Sequence, residues 1–353
     1  MNHTYDWIII GGGITGISVG EILTREGKSV LLLEKNNSLA SETSKDFHEW
    51  FHSGALHTLA PDNLLTLRYL LGSADDLFKY YGNYVGMNLI PTESGIKIKD
   101  KGWFNNNHIL YKFRRHIWNP VWLSMVSRST NIIDMIDSHD WLRRRAGSEY
   151  GSSKVRLNHW FSNIPSQIKS NGTFYEKESP DFTMNSRVLI NDLLTHGIEN
   201  GLEVKVNCEV TKIDEEADRV KVSTLDKIYV SKNTVICSPD AISNLIGTPI
   251  KIGYAPMAVV ENVPEDAKSF VELDYFIKKC INLLTKGKGI GQAGGITLDK
   301  ENEVENYLNY VIKEHKKRNP SIKVVDTYVG IKKELVSRGE DRNYLYHINQ
   351  NSK

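Results

Sequence analysis

The chain has 353 residues, of which 40% are hydrophobic and 25% are charged. These proportions are ordinary for a globular protein, and the length suits two domains or one large one. The formal net charge of +1 gives no general attraction to nucleic acid, and the sequence contains no run of about eighteen apolar residues that would span a bilayer. We therefore predict a cytoplasmic protein that binds no nucleic acid and has no integral membrane segment. A peripheral membrane contact or a partner subunit stays open.

The three cysteines, Cys208, Cys237 and Cys280, are odd in number and widely spaced, and they form no C-x-x-C pair. This spacing excludes a disulfide framework and a typical zinc site. We predict three buried small apolar residues and no metal site. The first predicted strand begins almost at Met1 and leaves no room for a signal peptide, which also favours the cytoplasm.

An apolar strand that runs into a glycine-rich turn is the first element of the chain. The strand, Trp7 to Ile10, is short and β-branched, and the following segment, Ile14 to Thr24, has the apolar spacing of a helix. The turn reads G-x-G-x-x-G, in which the first glycine permits the tight turn, the second admits a pyrophosphate and the third allows close helix packing. The phosphates are expected at the helix N-terminus. The predicted pyrophosphate-binding residues are Gly11, Gly13, Ile14, Thr15 and Gly16.

A second apolar strand, Ser29 to Leu33, ends at Glu34, about twenty positions beyond the glycines. An acidic residue at this place accepts hydrogen bonds from a ribose 2′-hydroxyl, and it argues against a 2′-phosphorylated nucleotide. We predict that Glu34 and the adjacent Lys35 bind the cofactor. The residues alone leave NAD and FAD as alternatives.

The nucleotide-binding pattern resumes late in the sequence. Leu189 to Asn200 has the spacing of an amphipathic helix closed by Gly201, and strands are predicted at 203–206, 209–213, 219–224, 227–230 and 234–237. We therefore predict an α/β protein with a discontinuous Rossmann-like domain at residues 1–83, 181–249 and 321–353. Segments 84–180, rich in tryptophan and basic residues, and 250–320, with alternating strands and a helix from Glu301 to Arg318, are assigned to a second, mixed-sheet substrate or cap domain.

With these residues in place, the chain resembles the D-amino acid oxidase-like superfamily of FAD-dependent oxidoreductases, which includes glycerol-3-phosphate and L-2-hydroxyglutarate dehydrogenases. The resemblance rests on the fingerprint with Glu34 and on the stretch from Val188 to Ile213. It rests also on Ser53 to His57, similar to an S-G-V-I-H segment, and on Tyr328 to Lys332, similar to a late G-x-R strand. The resemblance implies FAD as cofactor, with hydride passing from substrate to flavin. The further cofactor-binding residues predicted are Ser53, Gly54, Val210 and Cys237.

The resemblance also suggests the substrate-binding residues. His57 follows the flavin-adjacent Ser-Gly, and an imidazole can accept a hydroxyl proton near neutral pH; His48 and His52 are nearby alternatives. Lys332 stands where an arginine commonly binds a carboxylate or phosphate, although lysine cannot form the bidentate fork. The residues predicted at the reacting centre are His57, Lys332 and Arg338, with Arg342 as an alternative to the last.

Two departures from the family pattern lead to further expectations. Ser238-Pro239-Asp240 stands where the family usually has a glycine close to the flavin. Family members also continue beyond the segment matching 343–348 into a turn that covers the flavin, whereas this sequence stops at Lys353, so we expect weak FAD retention and slow turnover.

The predicted function is oxidation of a small polar substrate by FAD. A hydroxy acid or a phosphorylated or sugar-like alcohol ranks above an amino acid as the substrate. A non-catalytic or partner-dependent flavoprotein-fold subunit and an NAD-dependent dehydrogenase remain as alternatives.

Overall fold

The computed structural model describes residues 3–46, 49–59, 77–92, 95–99, 101–116, 118–138, 169–170, 173–274 and 279–335. The helices are α1 (Ile14–Arg25), α2 (Pro120–Ser138), α3 (Ser186–Glu199), α4 (Pro239–Ile246) and α5 (Val304–Arg318), with 3₁₀ helices at Ala55–Leu59 and Glu301–Glu303. One sheet is built from β1 (Thr4–Ile10), β2 (Val30–Leu33), β9 (Glu203–Lys205), β10 (Val210–Glu215), β11 (Val220–Thr224) and β12 (Ile228–Ile236). A second sheet is built from β3 (Trp50–Phe51), β6 (Phe104–Arg114), β7 (Lys169–Ser170), β8 (Phe174–Met184), β13 (Ile250–Glu261), β14 (Phe270–Asp274), β15 (Lys279–Gly287), β16 (Ile290–Gly295) and β17 (Lys323–Leu335). The strands β4 (Leu89–Thr92) and β5 (Gly95–Ile98) pair with each other.

The first sheet has the strand order β10-β11-β12-β1-β2-β9. β1 lies parallel to β2 and β12, and β2 lies parallel to β9, whereas β10, β11 and β12 form an antiparallel meander. Ile8, Ile9 and Ile10 of β1 and all four residues of β2 are buried, as expected for parallel strands covered on both faces. On one face, Ile9 and Leu32 pack against Ile17 of α1 and Leu193 of α3.

The second sheet has the order β17-β13-β16-β15-β14-β6-β8-β3, with β7 beside β8. Successive side chains of its strands point to opposite faces of the sheet, and both faces are covered. On one face Val260, Phe270 and Leu283 pack against Val311 of α5. On the other face Val271 and Leu284 belong to a cluster that includes Trp122 of α2. This second sheet combines the two segments that the sequence assigns to a substrate or cap domain.

The predicted fold class is confirmed, because β1 and β2 share one sheet with β9 to β12 although more than a hundred residues separate them along the chain. β17 lies in the second sheet, where it pairs with β13 from Ile250↔Leu335 to Glu261↔Lys323. The domain boundaries themselves stay a prediction. No helix in the described part of the chain is long and apolar enough to span a membrane.

One predicted boundary differs from the structure. The sequence predicts separate strands at 227–230 and 234–237, but β12 is continuous across the polar residues between them. Ser231 is buried and lies opposite Tyr5 of β1 and Val220 of β11, and its hydroxyl is 3.1 Å from that of Thr234. Pairing with β1 continues through Ser231, Asn233 and Thr234 and holds them in the strand, whereas pairing with β11 ends at Ser231.

Candidate cofactor site and active site

A cavity of about 370 Å³ lies at the edge of the first sheet where its parallel strands end. Ile10 at the end of β1 is level with Leu33 of β2 and with Ile236 of β12. The carboxyl ends of all three strands therefore meet at this edge, which is where ligands bind in open α/β sheets.

The glycine turn forms the floor of this cavity. The Gly11 amide donates a hydrogen bond to the Leu33 carbonyl (2.9 Å), and Gly11 has a φ of +106°, which favours glycine. A Cβ on Gly11 would lie 2.8 Å from the Cβ of Ser238. A Cβ on Gly16 would overlap the Gly11 carbonyl oxygen, so Gly16 allows α1 to pack on the turn. Gly16 thus lies behind the turn, whereas Gly11 and Gly13 line the cavity.

The N-terminus of α1 points at the cavity. Gly13 is the N-cap and provides no side chain to accept from the first amides. The Ile14 amide donates to Ser44 Oγ (3.0 Å), and Ile14 and Thr15 both line the cavity. Free amides and the helix dipole make such an end attractive to an anion. The predicted pyrophosphate position is therefore available in the structure.

The carboxylate of Glu34 forms the adjacent wall and is buried, with 7% of the residue exposed. Its Oε2 accepts from the Gly12 amide (2.7 Å) and its Oε1 accepts from the Asn36 amide (2.8 Å). A carboxylate has about four lone-pair sites, so two amide bonds leave capacity for ribose hydroxyl groups. These two bonds also hold the carboxylate in place before any ligand arrives.

The cavity therefore fits two groups of an adenine dinucleotide. A helix N-terminus is available for the phosphates, and a carboxylate is available for the ribose. Cys237 and Cys208 are half-buried free thiols at this site rather than fully buried core residues. The predicted cofactor-binding residues that line the cavity are Gly11, Gly13, Ile14, Thr15, Glu34, Lys35, Val210 and Cys237.

Four charged side chains at the cavity form an alternating group that we call the ionic quartet: Lys35, Glu42, Asp240 and Lys333. Lys35 Nζ lies 2.9 Å from Asp240 Oδ2 and 3.0 Å from Glu42 Oε1. Lys333 Nζ lies 2.5 Å from Asp240 Oδ2 and 3.0 Å from Glu42 Oε2. Burial opposes the charge of Glu42, but hydrogen bonds from Lys333, Asn36 and Lys35 outweigh it and lower its pKa to about 2. Sequence reasoning identified only Lys35 among the four.

Ser53 and Gly54 lie in a separate buried group built on Asp181, which we call the Asp181 cluster: Asp181, Trp50, Ser53 and Tyr111. Asp181 Oδ1 accepts from the Ser53 amide (2.8 Å) and hydroxyl (2.5 Å). Asp181 Oδ2 accepts from Trp50 Nε1 (2.9 Å) and the Tyr111 hydroxyl (2.5 Å). Burial would raise the pKa of Asp181, but these hydrogen bonds and the nearby His52 lower it below its usual value. The cluster anchors the segment that precedes His57.

The three residues predicted at the reacting centre have different surroundings. His57 lies in the 3₁₀ helix after Gly54, and its amide donates to the Gly54 carbonyl (2.9 Å). Lys332 Nζ lies 2.6 Å from Glu334 Oε1, and its side chain is 40% exposed. Arg338 lies outside the described residues, as do Arg342 and His48. A joint role of His57 and Lys332 stays a prediction.

Lys333 was not predicted as a cavity residue, although its neighbour Lys332 was named as a site residue. Successive side chains of a strand point to opposite faces, so Lys332 and its neighbour Lys333 cannot serve the same site. Lys333 is the one that lines the cavity. The sequence offers two adjacent lysines and no signal that selects between them.

Buried polar atoms elsewhere point to two residues that sequence reasoning missed, Asn282 and Gln292, and to His52, which it named as an alternative to His57. In the described part of the chain, Asn282 Oδ1, Gln292 Oε1 and His52 Nδ1 are buried without a hydrogen-bond partner. His52 stacks on Trp50 with ring centroids 4.2 Å apart, and its Nδ1 is 3.6 Å from Asp181 Oδ2. Buried unpaired polar groups often mark the place of a water or ligand. Their chemistry could not be inferred from the sequence because it depends on which face of a sheet each side chain occupies.

Taken together, the fold and the cavity define a dinucleotide-binding protein. Residues 6–116 match the DAO family model, described as FAD dependent oxidoreductase. The resemblance inferred from the sequence is confirmed. Between the two nucleotides that the residues left open, the family identifies FAD as the cofactor.

Two curated proteins and one solved structure illustrate the similarity. UDP-galactopyranose mutase of Mycoplasma pneumoniae is 36% identical over 72 residues, which are 19% of this chain and 18% of that protein. The mitochondrial L-2-hydroxyglutarate dehydrogenase of Arabidopsis thaliana is 30% identical over 79 residues, 22% of this chain and 16% of that protein. The chain thus matches less than a fifth of the length of either relative.

The solved structure is the dithionite-reduced L-α-glycerophosphate oxidase of Mycoplasma pneumoniae with FAD bound. It superposes with a TM-score of 0.64 and 15% identity, covering 95% of this chain and 85% of that one. At this identity the likeness shows the fold alone.

Proposed function

We propose that this chain binds FAD and oxidises a small polar substrate, with hydride passing from a carbon that bears a hydroxyl group to the flavin. The observation that carries the proposal is the cavity that combines the α1 N-terminus with the buried Glu34 carboxylate. An anionic hydroxy acid or a phosphorylated or sugar-like alcohol is the proposed substrate. One of the similar proteins is named for a hydroxy acid, which supports this class.

The chain's own residues divide the binding of FAD between them. The Gly13 amide and the first turn of α1 would hold the pyrophosphate, because the Gly11 and Gly12 amides already donate to Leu33 and Glu34. Glu34 would accept hydrogen bonds from the ribose, and Lys35, Val210 and Cys237 line the same cavity. When bound, FAD supplies the hydride acceptor, so the protein has to contribute binding, orientation and proton transfer.

The substrate-side proposal assigns proton acceptance to His57 and anion binding to Lys332, aided by Arg338. The Asp181 cluster supports the first assignment, because it fixes Ser53 and Gly54, and Gly54 begins the turn that carries His57. In the structure Lys332 is paired with Glu334, so an anionic substrate would have to replace this carboxylate. Exchange of one anion for another keeps the ammonium group paired throughout.

A spectroscopic experiment tests the proposed function. Purified protein, reconstituted with FAD, should show flavin absorbance bands, and anaerobic addition of L-2-hydroxyglutarate or L-α-glycerophosphate should bleach them. Glycine and L-proline serve as the amino-acid comparison. Flavin bands that no compound bleaches would favour the non-catalytic subunit, and absence of FAD binding would overturn the proposal.

Kinetics of two variants test the substrate-side residues. Lys332→Ala should raise KM roughly ten- to hundredfold with FAD still bound, because a charge-assisted hydrogen bond contributes about 1.5–3 kcal/mol. His57→Ala should mainly lower kcat. Lys323→Ala is the matched control, since this lysine lies on the same strand and is 70% exposed beside Glu261. An unchanged KM in Lys332→Ala would remove Lys332 from the site.

A further inference from the structure

The ionic quartet joins the cavity to the second sheet. Lys333 belongs to β17, which is part of that sheet. Its three partners belong to segments that follow strands of the first sheet. Lys35 and Glu42 lie in the segment after β2, and Asp240 is in the first turn of α4, which follows β12. All four side chains line the cavity. The quartet is therefore a place where both sheets contribute to the wall of the nucleotide site.

The four side chains of the quartet are partly buried. Exposure is 16% for Lys333, 24% for Asp240, 37% for Lys35 and 43% for Glu42. The four side chains thus line the cavity and remain partly accessible to solvent.

The charge pattern of the quartet suits a cover over an anionic ligand. Each lysine contacts both carboxylates, so each charge has two opposite neighbours and the sum of the four charges is zero. A neutral group neither repels a diphosphate nor depends on it for pairing. Partial burial also protects these pairs from screening better than a fully exposed pair.

We propose that the ionic quartet closes the cavity over the bound dinucleotide and that Lys333 is the residue through which the second sheet retains the cofactor. This inference rests on the proposed binding of FAD. It assigns Lys333 a positioning role, because Lys333 acts through Glu42 and Asp240. Loss of Lys333 leaves the two carboxylates facing one another with only Lys35 between them.

The test measures FAD dissociation, followed by the rise in flavin fluorescence when FAD-loaded protein is diluted. Lys333→Ala should release FAD about fivefold to tenfold faster than the wild type, the effect expected for partly buried ion pairs. Glu42→Gln, a milder change at a more exposed position, should act in the same direction. Lys333→Arg should restore slow release because it keeps the charge, and Lys323→Ala on the same strand should match the wild type.

Salt provides a second readout that a purely structural role would not change. Raising the ionic strength should speed FAD release from the wild type and should have less effect on Lys333→Ala, which lacks two of the pairs. Equal rates of FAD dissociation from wild type and Lys333→Ala would overturn the inference. If the FAD-free variant also melts at a lower temperature, Lys333 contributes to stability and not to FAD retention. If the wild type binds no FAD, the proposed function and the inference fail together; if it binds FAD and the variants release it equally, the inference alone fails.

Discussion

Gly13 and Gly16 are three residues apart in the same turn, yet valine at the two positions should have different effects. A Cβ on Gly13 meets Ser44 Oγ at 3.2 Å and otherwise faces the cavity, whereas a Cβ on Gly16 would overlap the Gly11 carbonyl oxygen. We expect Gly13→Val to give folded protein that binds no FAD, because the side chain fills the pyrophosphate position. Gly16→Val should instead lose folded protein.

Circular dichroism and flavin absorbance of the two purified variants separate these outcomes. Full flavin occupancy in Gly13→Val would mean that the turn does not bind the pyrophosphate.

Asp181 illustrates how one buried carboxylate can hold several elements together. It accepts from Trp50, Ser53 and Tyr111 and is completely buried. Asp181→Asn should lower the free energy of unfolding by about 3–5 kcal/mol, because an amide leaves buried donors unpaired. Urea unfolding followed by tryptophan fluorescence measures the loss. Asp299→Asn, at a 72% exposed residue that pairs with Lys251, should change stability little.

The pH dependence of this contribution has a defined sign. The pKa of Asp181 is lower in the folded protein than in the unfolded chain. Its contribution to stability is therefore present above the unfolded pKa of about 3.9 and is lost as the pH falls through the folded pKa. Equal acid sensitivity of the wild type and Asp181→Asn would contradict the ionised, hydrogen-bonded state.

At the scale of elements, a buried histidine lies where α5 packs on the second sheet. His315 is 2% exposed, and its Nε2 lies 3.1 Å from the Asn282 carbonyl oxygen of β15, to which an Nε2–H would donate. Burial, aided by the charge of Arg318, lowers the pKa of His315 to about 4 in spite of this hydrogen bond. The unfolded chain takes up a proton near pH 6.5, and the folded protein resists it until about pH 4.

The wild type should therefore lose about 3 kcal/mol of stability through His315 as the pH falls from about 6.5 to about 4. His315→Gln should lack this component, so its free energy of unfolding should depend less on pH over that interval. Replacement of the exposed His3 by Gln is the control. Parallel stability curves for wild type and His315→Gln would show that His315 does not titrate as inferred.

At the scale of the whole molecule, cofactor binding should stabilise both sheets, since the cavity is lined by the ends of β1 and β2 and by Lys333 of β17. A ligand at a hundred times its Kd adds about 2.7 kcal/mol to the free energy of unfolding. FAD and ADP should both raise the melting temperature of FAD-free protein. Adenosine 2′,5′-bisphosphate should not, because its 2′-phosphate would face the Glu34 carboxylate. A shift with this control as large as that with ADP would contradict the ribose assignment.

Much of the first sheet and its cavity was predictable, because the signals are local. β1, the glycine turn, α1, β2 and Glu34 follow one another in sequence, and each has the residue types that its geometry requires. The continuity of β12 was not predictable. Its polar middle is held by pairing with β1, which comes from a distant part of the chain.

The sequence by itself determined the class of cofactor site, because backbone conformation at Gly11, close packing at Gly16 and the charge of Glu34 are properties of single residues in a short segment. Only the tertiary structure decided which of two adjacent lysines lines the cavity, which carboxylates pair with it, and that Asp181 anchors the segment before His57. These choices depend on strand faces and on contacts between residues far apart in the sequence, such as those of Lys35 and Lys333 with Asp240. Such long-range pairings follow from how the two sheets meet, and no local pattern encodes them.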